Sequence, residues 1–155
     1  MATRGGFRSL VIGLDGSAHS RHAVAFVTRI RPPARGRATL VRVVEPVRPP
    51  SLGLLPASVR AELVGQADQL EAARLRAARR DVEAAARTLR RSGWRARGEV
   101  RVGVPLAELL AAVKAARADL FVLGARGAGP VTRLLLGSVA KGATRRSPVS
   151  ALIVR

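Results

Sequence analysis

The feature that most constrains this chain is an alternation. Short runs of branched apolar residues take turns with longer segments of helical period. Ser9-Leu10-Val11-Ile12-Gly13-Leu14 is one such run, closed by the turn Asp15-Gly16-Ser17. Ser17 or Ser20 then caps a helix on which Ala23, Phe26, Val27 and Ile30 recur, until Pro32-Pro33 stops it. Residues 38–44 read as a second strand, and a proline-rich loop over 46–56 follows. Residues 57–91 read as the longest helix, with an apolar stripe of Val59, Leu63, Leu70, Ala73, Ala77, Val82, Ala85 and Leu89. Within it, Glu83 and Arg87 form a favourable i,i+4 pair, and Arg76 and Arg80 an unfavourable one. Gly93 caps it in a left-handed turn.

Residues 95–102 read as a third strand. Pro105 opens a helix carrying Leu106, Leu109, Leu110 and Val113. Residues 119–123 form a fourth, fully apolar strand, 136–145 a last helix, and 150–154 a fifth strand. Regular β-α alternation over 155 residues, with no repeat and no linker, predicts one domain spanning 1–155. Its class is α/β, a doubly wound and mainly parallel sheet with right-handed crossovers and helices on both faces. In such sheets a ligand sits beyond the carboxyl ends of the strands, where strand order reverses. That directs attention to Asp15, Val43 to Glu45, Gly103 and the segment after Leu123.

That segment is Gly124-Ala-Arg126-Gly127, then nine residues, then Gly137-Ser138. Glycines at 124 and 127 let backbone N–H groups approach an anion without a Cβ in the way. Gly137-Ser138 opens a helix whose free N–H groups and positive dipole end suit a phosphate. Two such elements flanking one loop are what a polyphosphate needs. The bland alternative is a flexible loop with a helix cap.

Gly, two residues, Gly, nine residues, Gly, then Ser or Thr resembles the ATP-binding signature of the universal stress protein family. Val11 to Ser17, Ala118 to Gly124 and Ser147 to Arg155 resemble its first strand and acidic turn, its fourth strand and its last strand. The resemblance covers essentially the whole chain. It implies the adenine nucleotide alpha hydrolase-like arrangement, with five strands in the order 3-2-1-4-5. It also implies ATP, with Mg or Mn as a possible companion, held by named positions. Asp15 would contact the adenosine end, and the Val43 backbone the adenine edge. Gly13 and Leu123 would line the pocket, while Gly124, Arg126, Gly127, Gly137, Ser138 and Val139 would surround the phosphates. Relatives often carry His where this chain has Arg42, which alternation turns away from the side-chain face of Val43 and which is read as peripheral. A homodimer through the C-terminal strand is the family's usual assembly.

Other chemistry is thinly supported. Asp15 has a second reading as a turn-capping carboxylate. His19 and His22 sit at i,i+3 without an evident third metal ligand, and are taken as surface residues. There is no Gly-Lys-Ser/Thr arrangement of a P-loop, no Gly-x-Gly-x-x-Gly turn and no spacing that argues a Ser-His-Asp set. Zero cysteines exclude disulfides and thiol catalysis. The expected location is cytoplasmic, since neither a signal peptide nor a membrane span is evident. The leading expectation is a nucleotide-dependent regulatory, stress-response protein with little or no turnover. A slow ATPase or phosphotransferase is one alternative. The net charge of +18 raises another, a polyanion- or nucleic-acid-binding protein. The arginines are dispersed, however, and Phe7, Phe26, Trp94 and Phe121 are the only aromatics for stacking bases.

Overall fold

A computed structural model describes residues 6–47, 53–127 and 136–155. Residues 48–52 of the proline-rich stretch and 128–135 of the glycine loop lie outside the described residues, so the expectations placed on them have no structural counterpart here. Five strands, β1 (Ser9–Leu14), β2 (Arg37–Val44), β3 (Arg95–Val102), β4 (Leu120–Gly124) and β5 (Ser150–Val154), form one parallel sheet in the order β3-β2-β1-β4-β5. Four helices connect them: α1 (Ala18–Thr28), α2 (Ala57–Arg91), α3 (Pro105–Ala115) and α4 (Ser138–Arg146). The α/β class, the strand order and the helical crossovers are those expected.

The two-residue period of the strands divides the core. Leu10, Ile12, Ala38, Leu40, Leu120 and Val122 face one way and pack with Ala23, Val24 and Val27 of α1 and with Ala86 and Leu89 of α2. Val11, Val41, Phe121 and Leu123 face the other way, against Leu109, Ala112 and Val113 of α3 and Ala143 of α4. Strands buried on both faces need continuous apolar sequence, which is why β1 and β4 read as unbroken runs. The outer strand β3 is partly polar: Arg95 and Arg97 are exposed, while Arg101 is part-buried and pairs with Glu99 and Glu108.

Some boundaries differ from expectation. Helix α1 ends at Thr28, with Arg29 as its C-cap, so Ile30 packs on the core from outside the helix. Ser17, rather than Ser20, is the N-cap, its Oγ accepting from the Ser20 N–H at 3.1 Å. Helix α2 departs most. Ala78, Val82, Ala86 and Leu89 are its buried residues, whereas Val59, Leu70 and Ala73 of the expected stripe are exposed. The helix outruns the sheet it packs on. Its seated half is tied to β3 by Arg90, whose Nε donates to the Ala96 carbonyl at 2.9 Å and whose Nη1 reaches Glu83 at 2.9 Å. That hydrogen bond, with the charge of Arg90 behind it, holds the Glu83 carboxyl below the ordinary carboxylate range.

Candidate functional site

Strand order reverses between β1 and β4, and a cleft of about 350 Å³ opens beyond the carboxyl ends of β1, β2 and β4. Gly13, Asp15, Val43, Leu123, Gly124, Arg126, Gly127, Gly137, Ser138 and Val139 all line it. Positions separated by more than 120 residues of chain are thus brought to one crevice by parallel pairing.

The floor is apolar. Gly13 faces Leu123 and Leu109, and a methyl group there would run into Leu123 Cδ2 and lie 3.3 Å from Leu109 Cδ2. The absent side chain at position 13 therefore lets Leu123 lie under the cleft. Asp15 forms one wall. Its Oδ1 accepts from the Ser17 N–H at 2.9 Å, the turn-capping role foreseen for it. Its Oδ2 points at Gly127, 2.9 Å from where a Cβ at that position would stand. Capping and a place in the cleft are held by different oxygens of one carboxylate. Ser17 extends the link by donating to the Arg126 carbonyl at 3.4 Å.

The opposite wall is the end of β4 and the start of α4. Gly124 is the last residue of β4, and a Cβ on it would stand 2.6 Å from the His19 carbonyl carbon and 2.8 Å from the Ser20 nitrogen. Its lack of a side chain seats the strand end against the first turn of α1, so backbone approach to an anion is not the only demand at this position. Beyond it, the Gly137 N–H donates to the Ala125 carbonyl at 2.9 Å. A Cβ at position 137 would lie 3.3 Å from the Gly127 nitrogen and 3.4 Å from Arg126 Cα. The two glycine elements of the motif, nine residues apart in sequence, are therefore in contact. Gly137 is the N-cap of α4 and has no side chain to satisfy the first-turn N–H groups, and Ser138, Val139 and Ala140 carry that helix end into the lining.

Leu14, Ser20, Arg42, Glu45, Pro105, Leu109 and Ala140 also line the cleft. The sequence placed Glu45 in the region to inspect but gave the others no place in the site. Pro105 and Leu109 are one helical turn apart at the start of α3, and only the crossover brings that turn over β1. Arg42 was read as peripheral. It does point away from the Val43 face, and pairs with Asp81 of α2, yet it still borders the cleft, its guanidinium nitrogens 3.3 to 3.4 Å from where a Cβ on Gly16 would sit. Gly103 is not part of the lining. It adopts φ 150° and donates to the Val44 carbonyl at 3.1 Å. His19 and His22 stack edge-on, with ring centroids 6.1 Å apart. Among the described residues no group of three or more His, Cys, Asp or Glu side chains could hold a metal ion, and no helix is long and apolar enough to cross a membrane.

Comparisons with known proteins agree with this fold. Residues 6–155 match the model of the universal stress protein family. Among the curated proteins none matches the chain. Among solved structures, the chain is similar to the hypothetical protein MJ0577, at 18% identity and a TM-score of 0.79, covering 95% of this chain and 94% of that one. It is similar to a universal stress protein solved with cAMP, at 23% identity and a TM-score of 0.58, covering 96% and 97%. It is also similar to the universal stress protein of Archaeoglobus fulgidus solved with dAMP, at 17% identity and a TM-score of 0.56, covering 95% and 97%. With its motif glycines in contact across one cleft and the family's pattern running through residues 6–155, this chain belongs to the universal stress protein family.

Proposed function

We propose that the chain, acting as one domain, binds an adenine nucleotide, ATP, in the cleft at the ends of β1 and β4 and serves as a nucleotide-dependent regulatory protein with little or no turnover. The observation that carries this reading is that all ten residues singled out by sequence line a single cleft with an apolar floor and a helix N-terminus at one side. The two relatives solved with cAMP and dAMP support the adenine part of it.

In this reading Leu123, Leu109 and Val43 receive the base, and Asp15 the ribose. The backbone at Gly127 and the opening turn of α4, with the Ser138 hydroxyl, hold the phosphates. A divalent cation would ride on the phosphate chain, with Asp15 and Glu45 as the carboxylates bordering the cleft. Little or no turnover is part of this proposal, with Asp15 Oδ2 and Glu45 the carboxylates in the lining whose part in any hydrolysis the test below decides. Edge strand β5 offers its outer side for a homodimer.

The test is mass spectrometry of whatever leaves the purified protein on denaturation, together with calorimetric titration of ATP. The expected results are a released adenine nucleotide and saturable ATP binding. A protein that arrives empty and shows no heat with ATP would overturn the proposal. Single-turnover hydrolysis that disappears in Asp15→Ala would replace the regulatory reading with a slow ATPase.

A further inference from the structure

Helix α2 is longer than its seat. Its first buried residue is Ala78, so residues 57–77, about 30 Å of helix at 1.5 Å per residue, carry no buried side chain. Helix stability in proteins comes mostly from packing of an apolar face, and this arm packs little of its own, tied to the rest of the chain where the Val47 N–H donates to Glu71 at 3.3 Å. This arm displays Val59, Leu63, Gln66, Leu70, Ala73 and Ala77, spaced 4-3-4-3-4, which is the seam of a two-helix coiled coil. Val59 is 40% exposed and Leu70 46%. The seam lies about a third of a turn away from the stripe of Val82 and Leu89 that meets the sheet, so packing on the chain's own core leaves it open.

The charge pattern says what can cover it. In a chain of net charge +18, residues 57–73 hold Glu62, Asp68 and Glu71 against Arg60, a net of −2. Residues 74–91 hold Arg74, Arg76, Arg79, Arg80, Arg87, Arg90 and Arg91 against Asp81 and Glu83, a net of +5. Glu62, Gln69, Arg76 and Arg80 are all exposed and flank the seam on one side. Side by side in parallel, this flank would face the opposite flank of the second copy, so Glu62 would lie across from Ala67 and not from an arginine. Antiparallel and centred on Leu70, position n faces 140 − n, so each Glu62 falls between Arg76 and Arg80 of the other copy. That arrangement also relieves the repulsion of the Arg76–Arg80 pair within each helix.

We infer that the projecting half of α2 is a self-association surface, which pairs antiparallel with the same helix of a second copy about a twofold axis near Leu70. The interface is isologous, with an apolar seam at its centre and two Glu62–Arg76/Arg80 clusters at its flanks. It is separate from the nucleotide cleft and from the β5 edge.

Charge exchange tests it by analytical ultracentrifugation of four samples: wild type, Glu62→Arg, the double variant Arg76→Glu/Arg80→Glu, and an equimolar mixture of the two variants. All three positions are exposed, and circular dichroism with fluorescence of the buried Trp94 checks that each variant is folded. Wild type associates, and raised salt weakens it. Each variant alone meets like charge twice across the twofold, which weakens association about tenfold or more. The mixture restores it, because a heterodimer is complementary at both clusters. A wild type that stays monomeric, or an association equal in all four samples, as a β5-edge dimer would give, overturns the inference. So does a mixture no better than its components.

Discussion

The carboxylate of Asp15 carries two roles that a substitution can separate. Asn at position 15 keeps an oxygen able to accept the Ser17 N–H and removes the charge, whereas Ala removes both. Asp15→Asn is therefore expected to leave denaturant stability near wild type, and Asp15→Ala to lower it by about 0.5–1.5 kcal/mol. If the carboxylate contacts the nucleotide, calorimetry will find affinity reduced in both variants. Full affinity in Asp15→Asn would leave the residue a turn cap only. The glycines of the motif separate in the same way. A Cβ at Gly124 meets the His19 backbone, which cannot move without lifting α1, so Gly124→Ala is expected to destabilise by about 1–3 kcal/mol or more. A Cβ at Gly127 meets the Asp15 Oδ2, the end of a side chain. Gly127→Ala is thus expected to disturb ATP affinity more than stability. The sequence shows both glycines equally plainly, and its spacing distinguishes neither role. That difference comes from what stands opposite each residue, and in both cases it is a neighbour more than 100 positions away.

Among the elements, β1 and β4 were the most legible, because strands covered on both faces must be apolar throughout. Helix α2 was legible as a helix but not in its packing. The sequence pattern put Val59 and Leu70 on one stripe with Val82 and Leu89, whereas at 3.6 residues per turn the two pairs lie about a third of a turn apart, and only the packing shows which of them are covered. Two glycines measure this difference. Gly98 of β3 lies under the seated half, where a Cβ would come within 2.7 Å of the Val82 side chain, and Gly65 lies in the arm with nothing within 4 Å. Gly98→Ala is expected to lower global stability by about 1–3 kcal/mol, read from Trp94 fluorescence during urea unfolding. Gly65→Ala is expected to add about 0.5–1 kcal/mol to local helix stability. Its effect will appear as helical circular dichroism and amide protection in the arm, while the Trp94 transition stays in place.

On the scale of the molecule, the charge of +18 guarantees a long-range attraction for polyanions. If that attraction is only diffuse, binding to duplex DNA will fall steeply and linearly on a log–log salt plot and show no preference for sequence. ATP held in the cleft by backbone and helix-end donors will be less sensitive to salt, and this contrast checks whether the cleft or the charge is the functional feature. By itself, the sequence determined the α/β class and the approximate elements, and through the family resemblance it pointed to the ten residues that came to share a cleft. It could do so because burial on two faces, helix period and glycine spacing are local properties written in consecutive residues. The tertiary structure alone decided that Gly137 abuts Gly127, that α3 places Pro105 and Leu109 over the crevice, that Arg42 reaches its margin while paired with Asp81, and that half of α2 stands clear of the sheet. Those facts depend on which surfaces meet across the crossovers, and a one-dimensional pattern records how a face is composed without recording what lies against it.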